Sequence, residues 1–233
     1  MLKKIIEIIL VPVTMLFLIS AAVYLTLACR PLYYFDIQYL EIAEESGYSE
    51  AEIRENYDVL IDYNLSPRQD KLEFPTLPMS REGEIHFREV KAIFQLFLWA
   101  LVVSIPVLII AGIWFYRNKW EPVFLKWAGM LTPLFILLVG LLIAADWDRA
   151  FVLFHELVFR NDYWLFDPAT DPVITILPDT YFLHCAVLIL VLIAAGSAIS
   201  VFIWKKCAKA AGGRHGRLPK TRRKGSGRNE KTL

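Results

Sequence analysis

This sequence of 233 residues contains no glycine-rich phosphate loop, no GxSxG nucleophile elbow and no clustered cysteine metal site. Nucleotide-driven chemistry, serine hydrolysis of the α/β type and a structural zinc site therefore have no footing in it. Its three cysteines, Cys29, Cys185 and Cys207, lie at or near the ends of apolar runs and show neither metal nor redox spacing, which argues against a disulfide framework. His155-Glu156 opens like a zinc-protease helix, but position 159 is Phe, so the second histidine of HExxH is missing. No cofactor is expected.

Charge is also scarce in four long stretches. The chain is 56% hydrophobic with a mean hydropathy of +0.44, too apolar for an ordinary water-soluble domain. The apolar residues cluster at Ile5–Cys29, Ile93–Tyr116, Val123–Ala145 and Tyr181–Trp204. Each run supplies about 20 mostly apolar residues, the length a helix needs to cross a hydrocarbon core of roughly 30 Å. The few ionisable residues inside these runs, Glu7, Lys126 and His184, lie near their ends, so no span carries a charged ion pathway. Lys3, Lys4, the first apolar run and Ala28-Cys29 have the outline of a lipoprotein signal. Thr26 and Leu27 fit poorly before such a cysteine, however, and the run is long enough to span, so it is taken as an uncleaved helix.

The expected fold is an all-α membrane protein of four transmembrane helices over residues 1–211, with an extracellular interfacial helix and loop region in segments 30–92 and 146–180. Orientation follows from basic residues, which are retained in the cytoplasm during insertion. Lys3, Lys4, Arg117, Lys119, Lys126 and the eleven Lys/Arg between Lys205 and Lys231 all fall on one side of a four-span chain. That side is expected to be cytoplasmic and to hold both termini. The opposite loops, Arg30–Lys91 and Asp146–Asp179, carry 14 and 7 acidic residues against 7 and 2 basic ones, so the net charge of +1 conceals a polarised molecule. The basic tail, 212–233, has almost nothing apolar and is expected to be flexible and drawn to anionic lipids. No fold or aromatic platform accompanies its charge, so nucleic-acid binding is not expected.

Ser49 followed by Glu52 makes a capping-box signature, and Ile53, Tyr57, Leu60, Ile61 and Asn64 then share one helical face. Pro67, Pro75 and Pro78 forbid a regular helix between Leu65 and Ser80. Helical spacing returns at Glu84, His86 and Glu89 and runs without a breaker into the second span, placing His86 about two turns, roughly 10 Å, above the hydrocarbon. Ala150–Phe159 can form an interfacial helix carrying His155, so two histidines approach the same membrane surface. The stretch from Asn161 to Asp179 is too rich in Pro, Asp and aromatic residues to span and reads as an ordered loop pinned at the interface by Tyr163 and Trp164.

The HFREVK of His86–Lys91, the FHELVFRNDYWLFDP of Phe154–Pro168 and the DPVITILPDTYF of Asp171–Phe182, together with Tyr33–Tyr39 after the first span, carry a resemblance. In order, spacing and four-span frame the chain, over about residues 1–205, resembles the bacterial lipoprotein intramolecular transacylases, multi-pass cell-membrane proteins of Gram-positive bacteria. The resemblance implies an enzyme, an acyltransferase. It would move the sn-2 acyl chain of a diacylglyceryl-modified lipoprotein to the α-amino group of that lipoprotein's own N-terminal cysteine, giving an N-acyl, lyso-form product. The implied partners are those lipoproteins and membrane lipids, and the implied active site faces the outer leaflet.

Within that implied reaction His86 is assigned as the base and acid shuttle, because a histidine near its ordinary pKa of about 6.5 can take and return a proton. His155 is its partner, able to share the proton or to donate to an oxyanion at the ester carbonyl. Glu89, one turn from His86, is placed to hold that imidazole in the useful tautomer, and Arg149 or Arg160 to offset developing negative charge. Asn161, Tyr163 and Trp164 complete the supporting set, the two aromatics serving equally well as interface anchors. One interfacial histidine alone would be an ordinary headgroup side chain. The assignment rests on two, each inside a motif. The alternative is a non-enzymatic four-span scaffold or sensor whose acidic extracellular region docks a secreted partner, in which both histidines would tolerate Gln. A transporter is disfavoured because the spans lack mid-membrane polar residues.

Overall fold

The computed structural model describes residues 1–215, and all regular structure among them is helical. The long apolar runs form α1 (Leu2–Leu27), α5 (Arg81–Arg117), α6 (Val123–Ala145) and α9 (Asp179–His215), each with a stretch long and apolar enough to cross a membrane. Large apolar side chains such as Leu96, Ile110, Leu134 and Val187 face outward, as lipid-facing positions do. α1 is the central helix and packs against α5, α6 and α9. α6 and α9 pack closely at Gly129, where a Cβ would come within 2.8 Å of the Ser197 carbonyl oxygen. α5, by contrast, lies on α1 and makes no extended contact with α6 or α9. Glu7 of α1 accepts the Val123 backbone N–H at 3.2 Å, satisfying a donor at the start of α6.

The end of the bundle away from the α5–α6 turn carries a folded cap. It contains α2 (Arg30–Tyr39), α3 (Ile42–Ser46), α4 (Glu50–Leu65), the irregular segment 66–80, α7 (Trp147–Val158) and the single turn α8 (Val173–Ile176). Ser49 and Glu52 form the expected capping box at the start of α4, and all five residues of its expected apolar face are buried. What the sequence did not announce is the core these residues enter. Tyr33 of α2 stacks on Tyr57 of α4 with ring centroids 3.7 Å apart, and Tyr181 of α9 meets Tyr33 edge-on at 4.9 Å. The Tyr33 hydroxyl donates to the Ile176 carbonyl, and the Tyr57 and Tyr181 hydroxyls pair at 2.8 Å, so the buried phenols are satisfied. Ile37, Ile42, Ile53 and Val173 complete a core to which α2, α3, α4, the irregular segment and α8 contribute, and α7 does not. Segment 30–80 and α8 thus form a packed unit at this end of the bundle, beside which α7 lies as a separate helix.

The first three turns of α5 stand beyond its apolar span and enter this cap. Ser80 is the N-cap and its hydroxyl accepts the Gly83 N–H at 2.9 Å. The Ser80 N–H is in turn bound by the buried carboxylate of Asp171 at 2.7 Å, so the helix start is tied to the segment ahead of α8. Gly83 is required there, since a Cβ would lie 2.3 Å from Asp171 Oδ1. About two turns further, the Lys91 ammonium lies 4.0 Å over the Tyr63 ring and donates to the Gln69 carbonyl, which pins the irregular segment to α5. At the other terminus α9 continues to His215, past residue 212 where a flexible tail was expected to begin. The rest of that tail, 216–233, lies outside the described residues.

Candidate active site

His86 occupies the second turn of α5 and His155 the last turn of α7, and the fold brings the two imidazoles together. Their ring centroids are 6.2 Å apart with planes inclined by 30°, and no hydrogen bond links them. Both are buried, with 6% and 9% of their surface exposed. The enclosure is aromatic. Phe159 lies 4.8 Å from the His86 ring and 5.6 Å from the His155 ring, Phe166 stands edge-on to His86 at 5.3 Å, and Trp164 and Phe151 flank His155 at 4.6 and 4.3 Å. Phe159 is the residue at which the zinc-protease pattern fails. It fills the place of a second ligand with an apolar wall, and no group of three or more potential metal ligands occurs among the described residues.

The two histidines differ in their hydrogen bonding. His155 Nδ1 lies 2.8 Å from the Phe151 carbonyl oxygen, one helical turn back. A carbonyl only accepts, so Nδ1 carries the proton and Nε2 of the neutral ring holds the lone pair. His86 Nδ1 is buried with no partner among the described residues. Removal from water disfavours the charged form of both rings. Burial, reinforced by the nearby His155, pushes His86 from its ordinary 6.5 down to about 4. Burial also lowers His155, partly offset by the bond to the Phe151 carbonyl, which favours the protonated form. Both rings are thus neutral at neutral pH.

Glu89 does not hold His86. Its two carboxylate oxygens accept from the Asn161 amide at 3.0 and 3.1 Å, and Asn161 Oδ1 accepts the Tyr163 N–H at 3.2 Å. The carboxylate expected to set the imidazole tautomer instead fastens the loop that carries Tyr163, Trp164 and Phe166 onto α5. Arg149 and Arg160 are exposed and form no ion pair among the described residues. Arg149 enters the architecture only through its N–H, which donates to the N-cap carboxylate of Asp146 at 3.0 Å. Tyr163 and Phe166 border a cleft of about 340 Å³ shared with Ser80, Asp162 and Asp171. Sequence reasoning gave no site role to Phe151 or Phe159, and for Asp171, beside its proline, it favoured a turn or cap over contact with substrate. The proline after Asp171 was the one local signal, and it pointed to capping in general rather than to Ser80.

α7 is the most lipid-like part of the site. Only His155 is buried along it, while Leu153, Phe154 and Leu157 are exposed. An amphipathic helix with this division lies in a membrane interface. The fold and the site together define an integral, multi-pass membrane protein that holds a pair of desolvated, neutral imidazoles at one end of its bundle.

The model of the lipoprotein intramolecular transacylase Lit family matches residues 8–182, and the chain belongs to that family. The solved structure of the membrane integral lipoprotein intramolecular transacylase Lit from Bacillus cereus superposes with a TM-score of 0.86 at 36% identity, covering 90% of this chain and 97% of that one. Two further structures of that Bacillus cereus protein carry a histidine-to-arginine and a histidine-to-alanine mutation, with TM-scores of 0.81 and 0.80. An uncharacterized protein of Aquifex aeolicus (strain VF5) is 32% identical over 93 residues, which are 40% of this chain and 41% of that protein.

Proposed function

We propose that this protein moves the sn-2 acyl chain of a diacylglyceryl-cysteine lipoprotein to the cysteine α-amino group, and that its capped end faces the outer leaflet. The observation that carries the proposal is the pair of neutral imidazoles 6.2 Å apart in an aromatic enclosure. Family membership supports the substrate class. The orientation is supported by Lys3, Lys4, Arg117, Lys119 and Lys205, which all belong to the opposite end.

Ester aminolysis is downhill, and here donor and acceptor belong to one molecule, so the protein must supply alignment and proton transfer rather than energy. The cysteine α-amine attacks the ester carbonyl as the free base, which is accessible because an α-amine has a pKa of only about 7.7–8.0. Attack forms the C–N bond and leaves a positively charged nitrogen beside an oxyanion. That nitrogen is strongly acidic. A weak base suffices to take its proton, and His155 Nε2, whose lone pair the Phe151 carbonyl keeps available, is that base. The N–H of neutral His86 faces the developing oxyanion and donates to it. The C–O bond then breaks and the glycerol oxygen takes the proton from His155, so both imidazoles end neutral. This exchanges the roles first assigned from sequence, where His86 was the shuttle. Arg149 and Arg160, both exposed, are left to contact lipid headgroups rather than the reacting atoms.

The test is mass spectrometry of the N-terminal lipopeptide of a lipoprotein co-expressed with the protein, or with His86→Gln or His155→Gln, in a strain making only the diacylglyceryl form. The wild type is expected to give an N-acyl, lyso-glyceryl cysteine of unchanged total mass, and each variant the starting lipopeptide. An unshifted acyl chain with inserted wild type would overturn the proposal in favour of a scaffold.

A further inference from the structure

An apolar cavity lies at the opposite end of the bundle from the histidines. It has a volume of about 610 Å³, within the roughly 300–1,000 Å³ usual for small-molecule sites, and opens between α5 and α9 where those helices fail to meet. Its walls are apolar, formed by residues such as Phe17, Leu108, Phe115, Ile199 and Ile203. Gly112 widens it, since a Cβ at that position would meet nothing within 4 Å. Two lysines and no carboxylate line it: Lys119 from the α5–α6 turn and Lys206 from α9.

Neither lysine is paired with a carboxylate among the described residues. Glu121, in the same α5–α6 turn, accepts the Trp204 indole N–H at 2.8 Å. Lys206 lies 5.3 Å over the Phe202 ring. Lys119 takes a left-handed backbone conformation, φ 56°, which is uncommon outside glycine. It is held there by its own N–H to the Tyr116 carbonyl at 3.2 Å and by the Trp120 N–H to the Phe115 carbonyl at 2.9 Å. An apolar trough between membrane-spanning helices, lined also by two ammonium groups that no carboxylate neutralises, fits an acyl chain joined to an anionic headgroup.

We propose that the trough between α5 and α9 binds one anionic glycerophospholipid, with an acyl chain against Leu108 and Ile199 and its phosphate between Lys119 and Lys206. The lipid would close the gap that the protein leaves between these helices. Its assignment to the inner leaflet rests on the orientation proposed above, whereas binding itself does not.

The experiment is thermal unfolding and native mass spectrometry of the purified full chain in detergent, titrated with phosphatidylglycerol or phosphatidylcholine. Phosphatidylglycerol is expected to bind with one site and to raise the unfolding temperature more than phosphatidylcholine. Lys119→Gln/Lys206→Gln should weaken that binding about thirtyfold, from roughly equal contributions of two interfacial lysines. Gly112→Phe should block both lipids, and if it does not fold the lysine pair still decides. Equal effects of the two lipids, retention of the preference in Lys119→Gln/Lys206→Gln, or an equal loss in Lys3→Gln/Lys4→Gln would overturn the proposal. So would an equal shift produced by inorganic phosphate alone. These readouts do not depend on acyl transfer, so their failure is separable from failure of the catalytic proposal.

Discussion

Burial of His86 as a neutral ring makes the stability of the cap depend on pH in a direction opposite to that of a histidine paired with a carboxylate. In the folded chain His86 titrates at about 4, against an ordinary 6.5 when unfolded. Between those values the unfolded state binds the proton and the folded state does not, so stability falls as pH falls. The contribution is fully present above about pH 6.5 and lost progressively down to about pH 4. Going from about pH 7 to about pH 5 should cost about 2 kcal/mol from this one group, approaching about 3 kcal/mol below both pKa values. For a chain of this size that is about 5 °C of unfolding temperature. The perturbation is His86→Gln, which removes the titrating ring and keeps a polar side chain of similar reach. Thermal unfolding in detergent at the two pH values should show a drop about 5 °C smaller in the variant, the residual slope including the lesser shift of His155. Equal drops in wild type and variant would refute the claim that the imidazole is buried neutral, and with it the electrostatic basis of the site.

Three further outcomes follow from the same geometry. Asp171→Ala strips the Ser80 N–H of its acceptor and leaves the Thr170 hydroxyl only the Asp167 carbonyl at 3.3 Å; it should cost about 2–3 kcal/mol in chemical unfolding, with Thr170→Val costing about 1 kcal/mol. Asn161→Leu releases Glu89 and the loop bearing Trp164; it should lower the rate of acyl transfer by up to about a hundredfold in a lipopeptide assay while moving the unfolding temperature little. In hydrogen exchange, the amides of α7 should exchange faster than those of the first three turns of α5, because α7 buries only His155 whereas that part of α5 buries Phe87 and Lys91. Equal protection of the two would contradict the weak support of α7.

The parts of this architecture that were legible in the sequence are those fixed by local pattern. Four apolar runs gave four long helices, Ser49 and Glu52 gave the start of α4, and the unbroken spacing from Glu84 gave the extension of α5 that lifts His86 clear of its span. α2 was not legible because Arg30–Tyr39 follows the first span directly and its buried residues have partners far away in the chain. Tyr33 completes its packing with Tyr57 and Tyr181, and Asp36 accepts from His184 at 2.9 Å across 148 positions. α3 and α8, five and four residues long, are too short for any periodicity to register. In the site, proximity of two histidines to one surface could be read from depth, but their tautomers could not. Glu89 illustrates the limit. One helical turn from His86 is close enough for a contact, and only the position of Asn161, 72 residues later, shows that the carboxylate is engaged elsewhere.

The unequal supports of the two histidines bear on how a lipid with two chains can reach a buried pair. His86 sits on a helix whose N-cap Ser80 is held by Asp171, whose third turn is pinned through Lys91, and whose residue Phe87 belongs to the cap core. That side of the site is fixed. His155 sits on an amphipathic helix whose outer face is apolar and exposed, so lipid rather than protein covers it. A diacylglyceryl group would lose roughly 0.8 kcal/mol for each CH₂ taken from hydrocarbon into water, so entry from the membrane past α7 is favoured over entry from above. Displacement of α7 during such entry would break a base whose tautomer depended on another helix. The acceptor that fixes His155 is instead the Phe151 carbonyl of α7 itself. In the reaction proposed above, the lone pair on Nε2 would therefore move with α7 and reach the ester with its tautomer already set, while the proposed oxyanion donor His86 would stay on the better-supported helix.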